Sequence, residues 1–98
     1  MIEITNDMQV VLESENAIAY FTAEWCQPCK KLKPEMAKAG MKDNNYTYFV
    51  IDVDRVDGKL LAEYNIKSVP TVIKMNKGKE IKRISSRTSE AIIEEVNS

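Results

Sequence analysis

The chain has 98 residues, 44% hydrophobic and 30% charged, with a formal net charge of -1, the usual profile of one folded domain, here spanning 1–98. Lys and Arg are scattered rather than gathered into a basic stripe, which argues against nucleic acid as a partner. No apolar run approaches the roughly 18 residues of a membrane span and no charged-then-apolar leader opens the chain, so a cytoplasmic monomer without membrane contact is expected.

In chain order, Ile2 to Thr5 reads as a strand, and Asn6 is placed to cap a short helix with Met8, Val11 and Leu12 on its inner face. Ala17 to Phe21 is a nearly unbroken apolar run, as in a strand covered on both faces. From Pro28 to Ala39, residues Cys29, Leu32, Met36 and Ala39 recur at helical spacing, with lysines mostly elsewhere. Pro34 removes one backbone hydrogen bond of that helix, and Gly40 is expected to stop it in a left-handed turn. Tyr46 to Val53 reads as a buried strand and Gly58 to Tyr64 as a helix ending at Asn65. Asp52, Asp54 and Asp57 lack the glycine and terminal glutamate of a calcium loop and read as a strand end and helix start. Thr71 to Met75 and Lys79 to Ile84 flank Asn76-Lys77-Gly78 and form a hairpin, with Arg83 breaking the alternation of the second strand. Thr88 caps a last helix that buries Ile92, Ile93 and Val96. The order is βαβαβαββα.

The chain has two cysteines, Cys26 and Cys29, and a bridge closing so short a loop braces a fold little. Thiol-disulfide exchange, in contrast, needs a thiolate to attack and a second thiol near enough to resolve the mixed disulfide. At the start of a helix Cys26 meets unpaired backbone N-H groups and the positive dipole end, which favour its thiolate, so it is expected to be the nucleophile. Cys29 lies one turn inward on the apolar stripe, where desolvation holds it protonated, and is expected to resolve. Two cysteines and no histidine cannot complete a four-ligand zinc site, so no metal is expected.

The run Phe21-Thr22-Ala23-Glu24-Trp25-Cys26-Gln27-Pro28-Cys29-Lys30, the later Ser68-Val69-Pro70-Thr71 and the element order together resemble the thioredoxin family over the whole chain. The resemblance implies an α/β thioredoxin fold, with a mixed central sheet flanked by helices on both faces. It implies a redox-active Cys26-Cys29 disulfide with no further cofactor, protein disulfides as substrates and a thioredoxin-reductase-like partner as electron source. It also implies a cis peptide at Val69-Pro70 beside the cysteines and a substrate groove formed with Trp25, Gln27 and Pro28. Two alternatives use the same residues: a disulfide oxidase or isomerase of higher potential, and a partner-binding module.

Several positions depart from the family pattern. Tyr20 stands where thioredoxins bury an aspartate, Val50 where a lysine often lies nearby, Gln27 in place of glycine and Ser86 where a groove glycine is common. The Tyr20 side chain is expected to fill the core, or its hydroxyl to bond water or the Cys29 sulfur, with resolution by Cys29 slower, or more dependent on bulk water, than where the aspartate is present. Glu24 and Lys30 flank the pair and are candidates to tune the Cys26 thiolate.

Overall fold

Alternation along three central segments decides which side of the sheet each residue meets, because successive side chains of a strand point to opposite faces. In the computed structural model, which describes Met1–Ser98, strand β2 (Ala17–Thr22) sends Ile18 and Tyr20 to one face and Ala17, Ala19 and Phe21 to the other. Strand β3 (Thr47–Asp52) divides in the same way, Tyr48 and Val50 against Phe49 and Ile51, and β4 (Thr71–Asn76) sets Val72 against Ile73 and Met75. Both faces therefore need covering. On the first, helices α2 (Gln27–Lys42) and α4 (Ser89–Asn97) bring Leu32, Met36, Ala39, Ile92 and Val96 into one cluster. On the second, α1 (Gln9–Glu13) and α3 (Gly58–Glu63) contribute Val11, Leu60 and Leu61, beside Met8. Each large aliphatic or aromatic side chain buried this way stabilises by about 1.5–3 kcal/mol.

The five strands lie in the order β1-β3-β2-β4-β5, with β1 (Ile2–Ile4) and β5 (Lys79–Ile84) at the edges. β1, β3 and β2 run parallel, whereas β4 is antiparallel to β2 and to β5. This is the mixed sheet with helices on both faces, in the expected element order. The hairpin turns at Lys77 and Gly78, both at positive φ, the two-residue geometry whose twist suits a β-hairpin. A register shift at Lys74/Met75 leaves Ile81 without a partner and half exposed while Ile84 is buried, which explains the broken alternation around Arg83.

Two expected helix boundaries are corrected. The residue preceding α1 is Met8, with no side-chain cap. Asn6 instead accepts from the Asp7 N-H at 2.7 Å and Asp7 accepts from Gln9 at 3.0 Å, so the entry is a chain of short local bonds. Nor does Gly40 end its helix, for α2 continues to Lys42 and is followed by Asp43. The glycine serves close approach: a Cβ there would lie 3.2 Å from the Tyr48 Cβ. Tyr48 then donates from its hydroxyl to Asp43 Oδ2 at 2.9 Å, and Asn97 Nδ2 donates to the same oxygen at 3.0 Å, joining the end of α2 to β3 and α4. The strand read over Tyr46 to Val53 is one residue shorter at each end.

Carboxylates hold the start of α4 and the turn before it. Glu35 of α2 accepts from the Ser89 N-H at 2.8 Å. Glu95 accepts from Ser85 N at 3.1 Å, Ser86 N at 2.9 Å and the Ser86 hydroxyl at 2.7 Å. Those bonds favour the ionised forms and hold both carboxyls below their ordinary range.

Gly40→Val should destabilise the fold by about 1–3 kcal/mol through overpacking against Tyr48, read from denaturant unfolding. Glu95 has a lowered folded pKa, so its contribution is present above its ordinary value of 4.5 and fades as pH falls through the folded value. Glu95→Gln should therefore lower the melting temperature at pH 7, and the gap to the parent should shrink on acidification below that value.

Candidate functional site

β2 leads directly into the cysteine pair. After Thr22 the backbone turns, the Cys26 N-H donating to the Ala23 carbonyl at 3.2 Å, and Cys26 becomes the N-cap residue of α2 with Pro28 in the first turn. Proline there forfeits no intrahelical bond, because the first N-H groups of a helix have no partner. The Cys29 N-H donates to Cys26 Sγ at 3.2 Å, an orphan helix donor aimed at sulfur. Cys26 and Cys29 are joined as a disulfide with their Cα atoms 5.3 Å apart, and both are buried, Cys26 at 4% exposure and Cys29 at 1%. Their surroundings differ. Cys26 Sγ lies 3.6 Å from the Val69 carbonyl oxygen, on the side of the loop that carries the cis Val69-Pro70 peptide. Cys29 lies at the start of the buried face of α2 that continues in Leu32 and Met36, although both cysteines share one small apolar cluster with Ala23.

Trp25 projects beside the pair at 68% exposure. Its indole Nε1 donates to Asp54 Oδ2 at 2.9 Å, and Asp54 in turn sits in the turn after β3, where its N-H donates to Asp52 Oδ1 at 2.9 Å. Asp54 is the site residue that residue patterns missed: it is far from Trp25 along the chain, and its place among nearby aspartates suggested only a helix start. Trp25, Val53, Leu61, Ile66 and Val69 wall an open apolar pocket of about 260 Å³ with Lys67 and Ser68 at its margin. Gln27 and Pro28 are exposed on the first turn of α2.

The remaining expected positions are distributed differently. The Tyr20 hydroxyl donates to the Cys29 carbonyl at 2.8 Å, so its partner is the backbone, not the sulfur, and burial pushes its pKa up. Val50 pairs with Tyr20 across the sheet. It also borders a cavity of about 480 Å³, walled by Cys29, Thr22, Lys30, Asp52 and Arg55 among others. Lys30 shares the wall of this cavity with Cys29. Glu24 is 85% exposed and lies 3.9 Å from the Arg55 guanidinium, a contact worth little in water. Ser86 is engaged by Glu95 and makes no hydrogen bond to the cysteines. No group of three or more His, Cys, Asp or Glu side chains is gathered to hold a metal ion.

The family model described as Thioredoxin matches residues 2–98. Among curated relatives, Thioredoxin C-3 of Corynebacterium nephridii is 41% identical over 63 residues, covering 64% of this chain and 43% of that protein. A thioredoxin of Mycoplasmoides gallisepticum is 34% identical over 71 residues, covering 72% of this chain and 70% of the relative. The chain therefore spans less than half of the first relative. Plasmodium falciparum thioredoxin superposes with a TM-score of 0.83 at 23% identity, covering 99% of this chain and 97% of that structure, a likeness of fold.

Because Trp25 is the only tryptophan, its anchorage can be read optically. Asp54→Ala should lower the fluorescence anisotropy of the folded protein by freeing the indole, and an unchanged anisotropy would show that packing alone holds the ring.

Proposed function

The chain belongs to the thioredoxin family, and from that premise we propose that it is a thiol-disulfide oxidoreductase that reduces protein disulfides through Cys26 and Cys29. The observation that carries the reading is the asymmetry of the two sulfurs at the start of α2. Cys26 caps the helix and receives the Cys29 N-H, an arrangement that favours a thiolate there. Cys29 sits deeper, within reach of the Cys26 sulfur it must attack. In the reduced protein Cys26 attacks a substrate disulfide, forming a mixed disulfide and releasing one substrate thiolate. Cys29 then attacks Cys26 Sγ, the second substrate thiolate leaves, and the Cys26-Cys29 disulfide remains.

The groove supports a protein substrate. The Val69 backbone, whose carbonyl lies beside Cys26, offers groups for an extended segment to pair with. Trp25 and Val69 wall the adjoining pocket, a place for an apolar side chain next to the substrate cysteine. The oxidised pair is recharged by a thioredoxin-reductase-like partner, and no further cofactor is used. With both cysteines committed to the pair, a reducing compartment such as the cytoplasm is the setting in which the dithiol form persists. We place the chain there as a monomeric electron carrier.

Insulin reduction with a thiol or reductase regenerating system tests this. Cys26→Ser should abolish turnover, and Cys29→Ser should accumulate a covalent mixed disulfide. The reduction potential should lie near about -270 mV, and a value of about -120 to -180 mV would instead mark an oxidising or isomerising protein.

A further inference from the structure

The exchange reaction proposed above requires Cys29 to lose a proton, and the buried groups nearest to it do not accept one. The chain has no histidine. The Tyr20 hydroxyl already donates to the Cys29 carbonyl, and a phenol held in its neutral form is no base at neutral pH. Val50, beside Tyr20 in the sheet, has no ionisable group.

Cys29 does border the cavity of about 480 Å³, and Cys26 does not. Three carboxylates stand on the wall of that cavity: Glu3, Glu24 and Asp52. Glu3 is exposed on the edge strand β1, and Glu24 is turned outward at 85% exposure. Asp52 is 20% exposed and is held at the end of β3, directly opposite Thr22 in the parallel register. One of its oxygens accepts from the Asp54 N-H at 2.9 Å, and the other lies 3.7 Å from Arg55 Nε. The carboxylate is thus oriented by the backbone on one oxygen, while its contact with Arg55 is too long to consume the second. A polar cavity of this size admits several waters, each with partners on the wall. We infer that Asp52 is the proton acceptor for Cys29, acting through water in this cavity.

The inference rests on the exchange chemistry and extends it by one proton transfer. The Cys29 S-H gives its proton to a cavity water as that water gives one to Asp52. The electron pair left on Cys29 sulfur forms the bond to Cys26 Sγ, the bond from Cys26 to the substrate sulfur breaks, and that pair departs on the substrate sulfur. The proton on Asp52 returns to the leaving thiolate or to solvent. The charges facing Asp52 are Arg55 from the following turn, Lys30 and Lys33 from α2, Glu3 from β1, Glu24 from the loop after β2 and Asp54 on its own segment. Three cations and three other anions thus surround the carboxylate. Because the cavity touches Cys29 alone, the acceptor serves the resolving step and leaves the attack by Cys26 untouched.

The aromatic disulfide dithionitrobenzoate separates the two steps, since attack by Cys26 releases one coloured thiolate and resolution by Cys29 releases the second. With Asp52 as acceptor, the second rate constant should be nearly flat from about pH 5.5 to 8, because a built-in base rather than hydroxide takes the proton. Asp52→Asn keeps an oxygen for the Asp54 N-H but loses the base. Its second rate constant should climb about tenfold per pH unit with the Cys29 thiolate fraction and fall at least about tenfold below the parent at pH 7. The first release should be unchanged, and Asp52→Glu should restore part of the flat profile. Parallel profiles for Asp52→Asn and the parent would overturn the inference. So would a tenfold-per-unit climb in the parent protein itself, a readout that stands even if the variant does not fold. A parent that releases no second thiolate at any pH would instead refute the oxidoreductase reading.

Discussion

The central strand β2 is the constraint from which the site follows. Ala17 through Phe21 are fully buried, with β3 on one side, β4 on the other and a helical layer on each face. A strand so enclosed cannot shift register by one residue without moving Tyr20 and Phe21 to the wrong layers. Its end is therefore fixed in space, and the short loop that follows sets the first turn of α2, hence both sulfurs, relative to the sheet. The Val69-Pro70 peptide is positioned by the same strand, because it immediately precedes β4, which pairs with β2 along most of its length.

Two layers of apolar side chains give this arrangement its stiffness, and the cysteine pair sits in a small third cluster at the end of β2. Cys29 opens the buried face of α2 that continues in Leu32, Met36 and Ala39, yet it packs with Cys26 and Ala23 in a small cluster of its own, flanked by Val53 and Val69. Cys26 forms the cap, where helix geometry leaves donors unpaired. The difference between two chemically identical thiols comes from one turn of helix.

Much of this was legible in the residues. The apolar run of β2, the helical spacing from Cys29 to Ala39 and the turn at Gly78 each obey a local rule that the fold preserves. Features that depend on contacts between distant segments did not show. Gly40 looked like a helix stop because glycine favours such turns, whereas its actual role is to admit Tyr48 from the next strand. Asp54 looked like one of several aspartates near a helix start until the fold brought it to the Trp25 indole. The Tyr20 hydroxyl found a carbonyl one element away, and no pattern within β2 distinguishes that acceptor from a sulfur. The cavity beside Cys29 is likewise a product of packing among β1, β2, α2 and the turn after β3.

The outer hairpin strand has a consequence for coexistence with other chains. β5 offers an unpaired backbone edge, the template on which a second molecule could add a strand and begin a ribbon. Lys79, Glu80, Lys82 and Arg83 crowd that strand with charge, and the irregularity opposite Lys74/Met75 interrupts its pairing rhythm. An incoming strand would have to desolvate those charges and match a discontinuous ladder. Four charged side chains and one extra residue thus act as a guard against edge-to-edge aggregation, on the opposite flank of the sheet from the cavity that Cys29 borders.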